Sequence, residues 1–225
     1  MRNEVTRASR RERPAKPALT RVGIVAAALA IMRSEGRVTM RRLAQELDTG
    51  PASLYVYVRD TGDLYADMLD ELLGDVDLAP VTASGPWRER LSKVLVSYTL
   101  ILFDNPELAH SALVSRPSGP NYLSVLEGLL ALLRVGEVPD DRAAWGVDNL
   151  LLFATGLAAE HGARERRLDA DKEHDTLVRA LKDADPASYP NIHRVAVKLI
   201  SGEGVDRMRW AFEMLINGIV ETPRR

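Results

Sequence analysis

Apolar residues recur at intervals of three and four along most of the chain from Thr20 onward, which is the spacing of one face of an α-helix. Up to residue 76 the pattern predicts four short helices, at 21–35, 39–47, 51–58 and 63–76. No stretch alternates between apolar and polar residues with a period of two between hairpin turns, so strands are not expected. The chain is therefore predicted to be all-α.

Local signals mark where the short helices begin. Thr20 and Thr39 are suited to N-caps, and Pro51 suits the first position of the third helix, where its missing N–H is not needed. The turn Asp48-Thr49-Gly50 separates the second helix from the third. These two helices are predicted to form a helix-turn-helix over residues 39–58, a motif whose second helix enters the major groove of DNA.

The sequence after Pro80 predicts longer helices that are separated by proline or glycine. They are placed near 86–104, 106–114, 121–135, 140–165, 172–183, 191–200 and 204–220. Residues 1–18, by contrast, contain six basic residues and two prolines with almost nothing to bury, which predicts a disordered basic arm. An inert tail and a DNA-contacting arm both agree with that composition.

Composition is typical of a soluble globular protein, with 46% apolar and 28% charged residues. The absence of cysteine excludes disulfides and thiolate metal sites and agrees with a cytoplasmic location. No segment reaches about 18 consecutive apolar residues, so no membrane span is expected. Residues 1–60 hold 12 Lys and Arg against 6 Asp and Glu, whereas the other 165 residues hold 18 against 26. This asymmetry suits a protein whose first part meets a polyanion, although chance clustering with a solvated tail produces it too.

The helix-turn-helix carries the residue types that DNA binding needs. Pro51, Ala52 and Ser53 are short enough to bring the third helix close to base edges. Side chains that can donate to phosphate flank them, and these are Thr39, Arg42, Tyr55, Tyr57 and Arg59. Because short helical hairpins also occur in proteins that never touch DNA, the spacing alone leaves a purely structural hairpin open.

The stretch T-M-R-R-L-A-Q-E-L-D-T-G-P-A-S-L-Y-V-Y-V-R-D, residues 39–60, resembles the DNA-binding segment of the TetR family of bacterial regulators. The resemblance extends over about residues 19–72, and L-Y-V-Y-V is most similar to the tetracycline-repressor branch. It implies a three-helix, helix-turn-helix DNA-binding domain over 19–62. It also implies a larger helical ligand-binding and dimerisation domain over 63–225, which is matched here only by helical pattern and length.

The resemblance implies roles for individual residues. Arg41 stands where members often reach a base, and arginine on guanine is the commonest specific contact. The base-facing and adjacent positions are matched by Pro51, Ala52, Ser53, Val56 and Tyr57. Tyr55 matches a tyrosine that touches phosphate, whereas Thr61 stands where members usually carry a phosphate-binding lysine and Asp48 replaces the usual turn glycine. The missing lysine predicts weaker phosphate binding, for which the basic arm is a candidate compensation.

Family members bind small molecules in a cavity among the helices of the second domain, so polar and aromatic interruptions of its apolar faces are candidate ligand residues. They are Tyr98, Phe103, His110, Tyr122, Trp145, Asp148, Asn149 and Phe153. Asp148 and Asn149 lie within an apolar helix and need a polar partner, for which a ligand and a contact across a dimer are equal candidates. Aromatic residues at helical spacing also occur in ordinary cores.

No metal or cofactor is expected. The four histidines, His110, His161, His174 and His193, lack the spacing of a metal site. His161 and Glu165 offer two ligands on one helix, which is too few for a closed zinc site. Members of the tetracycline branch chelate a drug-bound metal through a histidine, and the resemblance makes His110 the candidate for that role.

A protein that reads two half-sites needs two-fold symmetry, which predicts a homodimer on a palindromic DNA operator. Two apolar stripes are candidates for its interface. The stripe within 140–165 is Ala143, Gly146, Val147, Leu150, Ala154, Leu157 and Ala158, and the stripe within 204–220 is Met208, Ala211, Phe212, Leu215, Ile216 and Ile219. Both stripes also suit the internal core of a single chain.

Together these features predict a dimeric transcriptional regulator, a repressor that releases its operator when a small molecule binds the second domain. Activation in place of repression stays open. An enzyme is not expected, because the sequence shows no paired carboxylates beside a nucleophile, no Gly-rich phosphate loop and no metal cluster. A constitutive DNA-binding protein with a filled core is the remaining alternative. The effector and the operator sequence do not follow from the residues.

Overall fold

A computed structural model describes residues 18–114, 117–167 and 169–223. The predicted basic arm therefore lies, apart from its last residue, outside the described residues. Within those ranges the regular structure is helical throughout, with a single 3-10 turn at Ala79–Val81. The helices are α1 Arg21–Glu35, α2 Met40–Glu46, α3 Pro51–Leu54, α4 Thr61–Leu73, α5 Trp87–Phe103, α6 Pro106–Val114, α7 Pro120–Val135, α8 Asp140–Glu165, α9 Ala170–Lys182, α10 Pro190–Leu199 and α11 Gly204–Glu221.

The described residues form two compact units that divide between Arg59 and Asp60. In the first unit, α1, α2 and α3 pack around a small apolar core that includes Ile24, Leu43 and Leu54, none of which is exposed to solvent. Thr20 caps α1 by accepting a hydrogen bond from the Gly23 N–H at 3.1 Å. The cap therefore fixes where the first unit's regular structure begins.

In the second unit, α8 is the central helix and packs against α5, α6, α7 and α11. Close approach depends on two glycines of α8. A side chain at Gly162 would collide with Pro106 at the start of α6, and a Cβ at Gly146 would lie 2.8 Å from Cγ2 of Ile219 in α11. Small residues on α8 therefore bring two neighbouring helices of the same chain close to it.

Helices α9 and α10 pack on each other as a hairpin. Asp185 organises the turn between them, because its carboxylate accepts hydrogen bonds from the Ser188 hydroxyl at 2.6 Å and from the Ala187 and Ser188 N–H groups. These hydrogen bonds, the hydroxyl first, lower the pKa of Asp185. None of the described helices has the length and apolar character needed to cross a membrane.

The predicted helices agree closely with the observed ones except at the end of α3 and at both ends of α4, which stops at Leu73 and not at residue 76. Regular α-helix in α3 ends at Leu54 and not at Val58, because the Tyr57 and Val58 N–H groups both bond back to the Leu54 carbonyl in a tight turn. Helix α4 begins at Thr61, two residues earlier than predicted. Asp60 caps it by accepting from the Asp63 N–H at 2.8 Å, a role that the predicted break at 59–62 missed.

Candidate functional site

The helix-turn-helix is held by short-range hydrogen bonds. Thr39 caps α2 by accepting from the Arg42 N–H at 3.2 Å, as predicted. Asp48, at the position of the usual turn glycine, takes a positive φ of 47°, which the short side chain of an aspartate tolerates better than most. The Thr49 N–H then bonds to the Ala44 carbonyl at 2.8 Å. The turn therefore fixes α3 against α2 without a glycine at position 48.

One face of the α3 region is open to solvent while its opposite face is buried. Leu54 and Val58 are buried in the core of the first unit and anchor the segment. The exposed residues in and after α3 are Pro51, Ala52, Ser53, Tyr55 and Val56, and Arg41 and Arg59 are exposed as well. Val56 is 79% exposed, so its apolar side chain is available to a partner. Short and apolar groups thus project from a rigid element, as contact with base edges requires.

Tyr57 and Arg42 have contacts that the sequence interpretation did not foresee. The Tyr57 side chain is half-buried, and its carbonyl accepts from the Arg21 guanidinium at 3.2 Å. Arg42 was expected to donate to phosphate, but its guanidinium lies 2.8 Å from the carboxylate of Glu35 and 2.9 Å from that of Glu46. Hydrogen bonds to these two carboxylates raise the pKa of Arg42. The i,i+4 spacing of Arg42 and Glu46 is the sequence signal for this arrangement.

Of the candidate ligand residues, Tyr98 lies deepest. It is buried in α5, and its hydroxyl lies 2.9 Å from the Thr155 hydroxyl of α8. Burial raises the pKa of Tyr98 to about 12; the hydrogen bond with Thr155 opposes this shift, and interaction with Tyr122 of α7 adds to it. The Tyr98 and Thr155 hydroxyls thus form a polar group between α5 and α8, and Tyr122 of α7 lies near enough to act on Tyr98 electrostatically. Thr155 was not among the residues predicted from the sequence.

The other aromatic candidates serve mainly to join helices. Phe103 stacks on His161 with ring centroids 4.6 Å apart, and Phe153 meets the edge of Phe212 of α11 at 5.6 Å. His110 of α6 is exposed. Within the part of the chain that the structure describes, no three His, Asp or Glu side chains come together to hold a metal ion.

Trp145, Asp148 and Asn149 lie on the outer face of α8 and do not join the Tyr98 group. Their side chains are exposed, and the Asn149 amide donates to the Trp145 carbonyl at 2.8 Å within the same helix. Burial therefore does not oblige Asp148 and Asn149 to have a ligand or a dimer contact as a partner, because a polar side chain on an exposed face can be hydrated.

The structure also corrects the residues predicted for the dimer interface. The apolar stripes of α8 and α11 that the sequence indicated, such as Val147, Leu150 and Phe212, are buried in the core of their own chain. A different stripe of these helices is exposed. It consists of Trp145, Leu152 and the half-buried Gly156 on α8 and Trp210, Met214 and Gly218 on α11, and we call it the outer stripe. A Cβ at Gly156 or Gly218 would meet no atom within 4 Å.

A groove of about 600 Å³ lies between α7 and the start of α8. Its floor is mostly apolar, with Leu130, Val135 and Val138 among the lining residues, and Glu127, Arg134 and Asp140 add charge. None of the eight candidate ligand residues lines this groove. It is therefore a separate feature from the polar group around Tyr98.

Helices α4 and α7 meet in an arrangement that the sequence did not indicate. Asp70, in the last turn of α4, is 9% exposed. Its carboxylate accepts from the Tyr122 N–H at 2.9 Å and the Asn121 N–H at 3.4 Å, while the Asn121 amide donates to the Asp70 carbonyl at 2.9 Å. We call this set of three hydrogen bonds the α4–α7 joint. It connects the first helix of the second unit directly to the turn that carries Tyr122.

Comparison with known proteins gives one family model, described as "Tetracyclin repressor-like, C-terminal domain", which matches residues 79–222. Among curated proteins, the HTH-type transcriptional repressor DrrR1 of Streptomyces coeruleorubidus is 36% identical over 128 residues. That match covers 56% of this chain and 47% of DrrR1. The chain thus spans about half the length of the curated relatives it matches.

Solved structures match over most of their length. The structure of a protein described as a transcription regulator, SCO7704 of Streptomyces coelicolor, is 53% identical, with a TM-score of 0.77 and coverage of 93% of this chain and 98% of that one. The TetR family protein ActR of the same organism, in complex with actinorhodin, is 34% identical with a TM-score of 0.80. That match covers 90% of this chain and 96% of ActR.

Proposed function

The chain belongs to the TetR family of transcriptional regulators, and from this membership we propose that it is a homodimeric repressor that releases a palindromic operator when a small molecule binds. The observation that carries the proposal is the exposed face of α3 on a buried anchor. Leu54 and Val58 fix the segment, and short residues project from it at a position suited to base edges. Membership of this family supports a regulator rather than an enzyme, and we propose a cytoplasmic location.

For DNA contact, we propose that Arg41 and the α3 face read bases while Thr39, Tyr55, Arg59 and Thr61 hold the backbone. Arg42 is left out of the phosphate contacts because Glu35 and Glu46 already engage it. The DNA-binding domain is proposed to cover 19–62 and the ligand-binding and dimerisation domain 63–225.

For the dimer, we propose that the outer stripe of α8 and α11 packs against the same stripe of a second copy. Two tryptophans and two long aliphatic side chains are exposed there, and Gly156 and Gly218 leave room for a partner helix. A two-fold axis through this stripe makes the interface self-complementary, and a two-fold symmetric dimer suits a palindromic operator. Asp148 and Asn149, beside Trp145, then become contacts across the dimer.

For the effector, we propose a polycyclic aromatic molecule that binds in the second unit near Tyr98 and Tyr122. Support comes from the buried polar group of Tyr98 and Thr155, from the half-buried Tyr122 that acts on Tyr98 electrostatically, and from the actinorhodin complex of ActR. Such a ligand releases DNA only if it binds the DNA-free geometry of the dimer more tightly than the DNA-bound one.

A fluorescence anisotropy titration tests this proposal. A duplex from the intergenic region beside the chain's own gene is bound to saturation, and actinorhodin is then added as the probe. Release by the wild type, lost in Tyr122→Phe but kept in Ala144→Trp, which fills the α7–α8 groove, supports the Tyr98 site. Release that is lost only in Ala144→Trp assigns the effector to the groove. If neither actinorhodin nor other polycyclic aromatics change DNA affinity, the effector proposal is wrong.

A further inference from the structure

The α4–α7 joint places a carboxylate where helix electrostatics disfavour it. Asp70 lies in the last turn of α4, and the C-terminal end of a helix carries partial negative charge. It is also almost completely buried, which adds a desolvation cost for a charged side chain. An apolar residue would fill this core position at lower cost. The presence of an aspartate here therefore indicates that the contacts of its carboxylate have a role.

What Asp70 contacts is the N-terminal turn of α7. The N-cap of that helix is Gly119, which has no side chain to accept from the Asn121 and Tyr122 N–H groups. Asp70 supplies the missing acceptor from another helix, at 2.9 Å to the Tyr122 nitrogen. Gly119 has a φ of −77°, so glycine is not required there for conformation. It is required for space, because any Cβ would collide with the Asp70 carboxylate.

The joint is also closed in the opposite direction. The last carbonyls of a helix have no partner within the helix, and the Asn121 side chain donates to one of them, that of Asp70, at 2.9 Å. Each helix thus provides the cap of the other. Movement of the α7 terminus relative to the end of α4 breaks both caps together.

The two ends of this connection lie beside the two proposed sites. Helix α4 begins at Thr61, two residues after the unit that carries the helix-turn-helix ends at Arg59. The backbone of Tyr122 is part of the joint, and its side chain lies near enough to Tyr98, in the proposed effector site, to act on that tyrosine electrostatically. A single residue, Tyr122, therefore links α4 to the side chains that the effector is proposed to contact.

We propose that Asp70 is a positioning residue that couples the proposed effector site to DNA binding, by making the position of α4 depend on the N-terminal turn of α7. The inference rests on the proposed function, and it assigns the coupling between effector binding and DNA binding to the α4–α7 joint. By linkage, a coupling that lets an effector weaken DNA binding also lets DNA change the surroundings of Tyr122. The coupling is therefore measurable with DNA alone, before any effector is known.

The experiment uses the full chain labelled with 3-fluorotyrosine and a duplex recovered by selection from genomic DNA. Fluorine NMR follows the Tyr122 resonance, assigned from its loss in Tyr122→Phe, and the resonances of Tyr55 and Tyr57 report DNA binding. Asp70→Asn keeps the size of the side chain and removes its charge. Glu71→Gln, at the exposed neighbouring position, removes the same charge outside the joint.

We expect the duplex to shift the Tyr122 resonance in the wild type and in Glu71→Gln. In Asp70→Asn the shift falls by at least half while the duplex still binds. Asn121→Ala, which breaks only the reverse cap, gives an intermediate loss and serves as the test if Asp70→Asn does not fold. An equal Tyr122 shift in all folded variants, or none in the wild type although Tyr55 and Tyr57 respond, overturns the coupling and leaves the DNA-binding proposal standing. If the wild type binds no fragment, the proposed function fails and the coupling fails with it.

Discussion

Asp70 and Asn121 each cap the helix that carries the other. The Asp70 carboxylate accepts N–H groups at the start of α7, and the Asn121 amide donates at 2.9 Å to the Asp70 carbonyl at the end of α4. Helix ends usually find their caps in neighbouring residues of the same segment. Here two helices separated by about fifty residues of sequence supply them to each other, so the same hydrogen bonds contribute to the stability of both helix ends and to their mutual position.

Gly119→Ala tests this relationship. The added methyl group would collide with the Asp70 carboxylate, so we expect unfolding free energy to fall by about 1–3 kcal/mol, the usual cost of overpacking. In an Asp70→Ala background the same substitution finds space and costs much less. Urea denaturation of the double-mutant cycle measures this coupling. Equal costs of Gly119→Ala in both backgrounds would show that the glycine serves some other purpose.

Tyr98 predicts a dependence of stability on alkaline pH. Its pKa in the folded chain is about 12, against 10.0 as the unperturbed value. The folded state therefore holds the proton more tightly, and the stabilisation this brings is fully present below pH 10 and lost between about pH 10 and pH 12. The difference in pKa corresponds to roughly 3 kcal/mol.

Tyr98→Phe provides the comparison. At neutral pH we expect the wild type to be more stable by about 1 kcal/mol, because the variant leaves the Thr155 hydroxyl without its partner. Urea midpoints measured from pH 8 to pH 11.5 should show this advantage shrinking and then reversing, with exposed Tyr189→Phe as the control. An advantage that stays constant across this range would contradict the assigned pKa.

The outer stripe predicts the oligomeric state. Leu152→Glu places a charge in the proposed interface, where it has no polar partner, so we expect the dimer to dissociate to monomers at micromolar concentration. Leu177→Glu on α9 is a matched control, since Leu152 and Leu177 are 58% and 55% exposed. Sedimentation equilibrium separates the outcomes. If Leu152→Glu remains as dimeric as the control, the dimer interface lies elsewhere.

Arg41 and Arg42 are neighbours with different expected effects. Arg41→Ala should lower operator affinity by about tenfold or more, as loss of a base-reading arginine does. Arg42→Ala should lower it far less, because its guanidinium already bonds to Glu35 and Glu46. Anisotropy titrations at one salt concentration compare the two. A larger loss of operator affinity from Arg42→Ala would mean that Arg42 breaks its bonds to Glu35 and Glu46 in order to bind phosphate.

Local signals in the sequence predict most of the fold. Thr20 and Thr39 cap α1 and α2 as expected, and proline or glycine marks the joints between the longer helices. These signals act within a few residues of the position they determine, so they can be recognised without knowing what packs where. The extra length predicted for α3 was wrong. Backbone hydrogen bonds close a turn after Leu54, and the pattern of side chains does not reveal these bonds.

Contacts between distant helices could not be predicted in this way. Asp70, Asn121 and Tyr122 form the α4–α7 joint only because α4 packs on α7, and none of the three carries a local signal for it. The α8 helix has two apolar faces, and periodicity does not tell which one packs in its own chain. Burial assigns Leu150 to the core and leaves Leu152, two residues away, to the surface.

Selection of bound fragments from genomic DNA shows whether residues 39–58 read DNA sequence. The wild type, Arg41→Ala and Arg179→Ala are compared, the last removing the same charge from an exposed site on α9. We expect the wild type and Arg179→Ala to recover one inverted repeat, which Arg41→Ala loses or relaxes. Recovery of no preferred sequence by the wild type, with all three proteins alike, would contradict this expectation and leave the helix-turn-helix a structural hairpin.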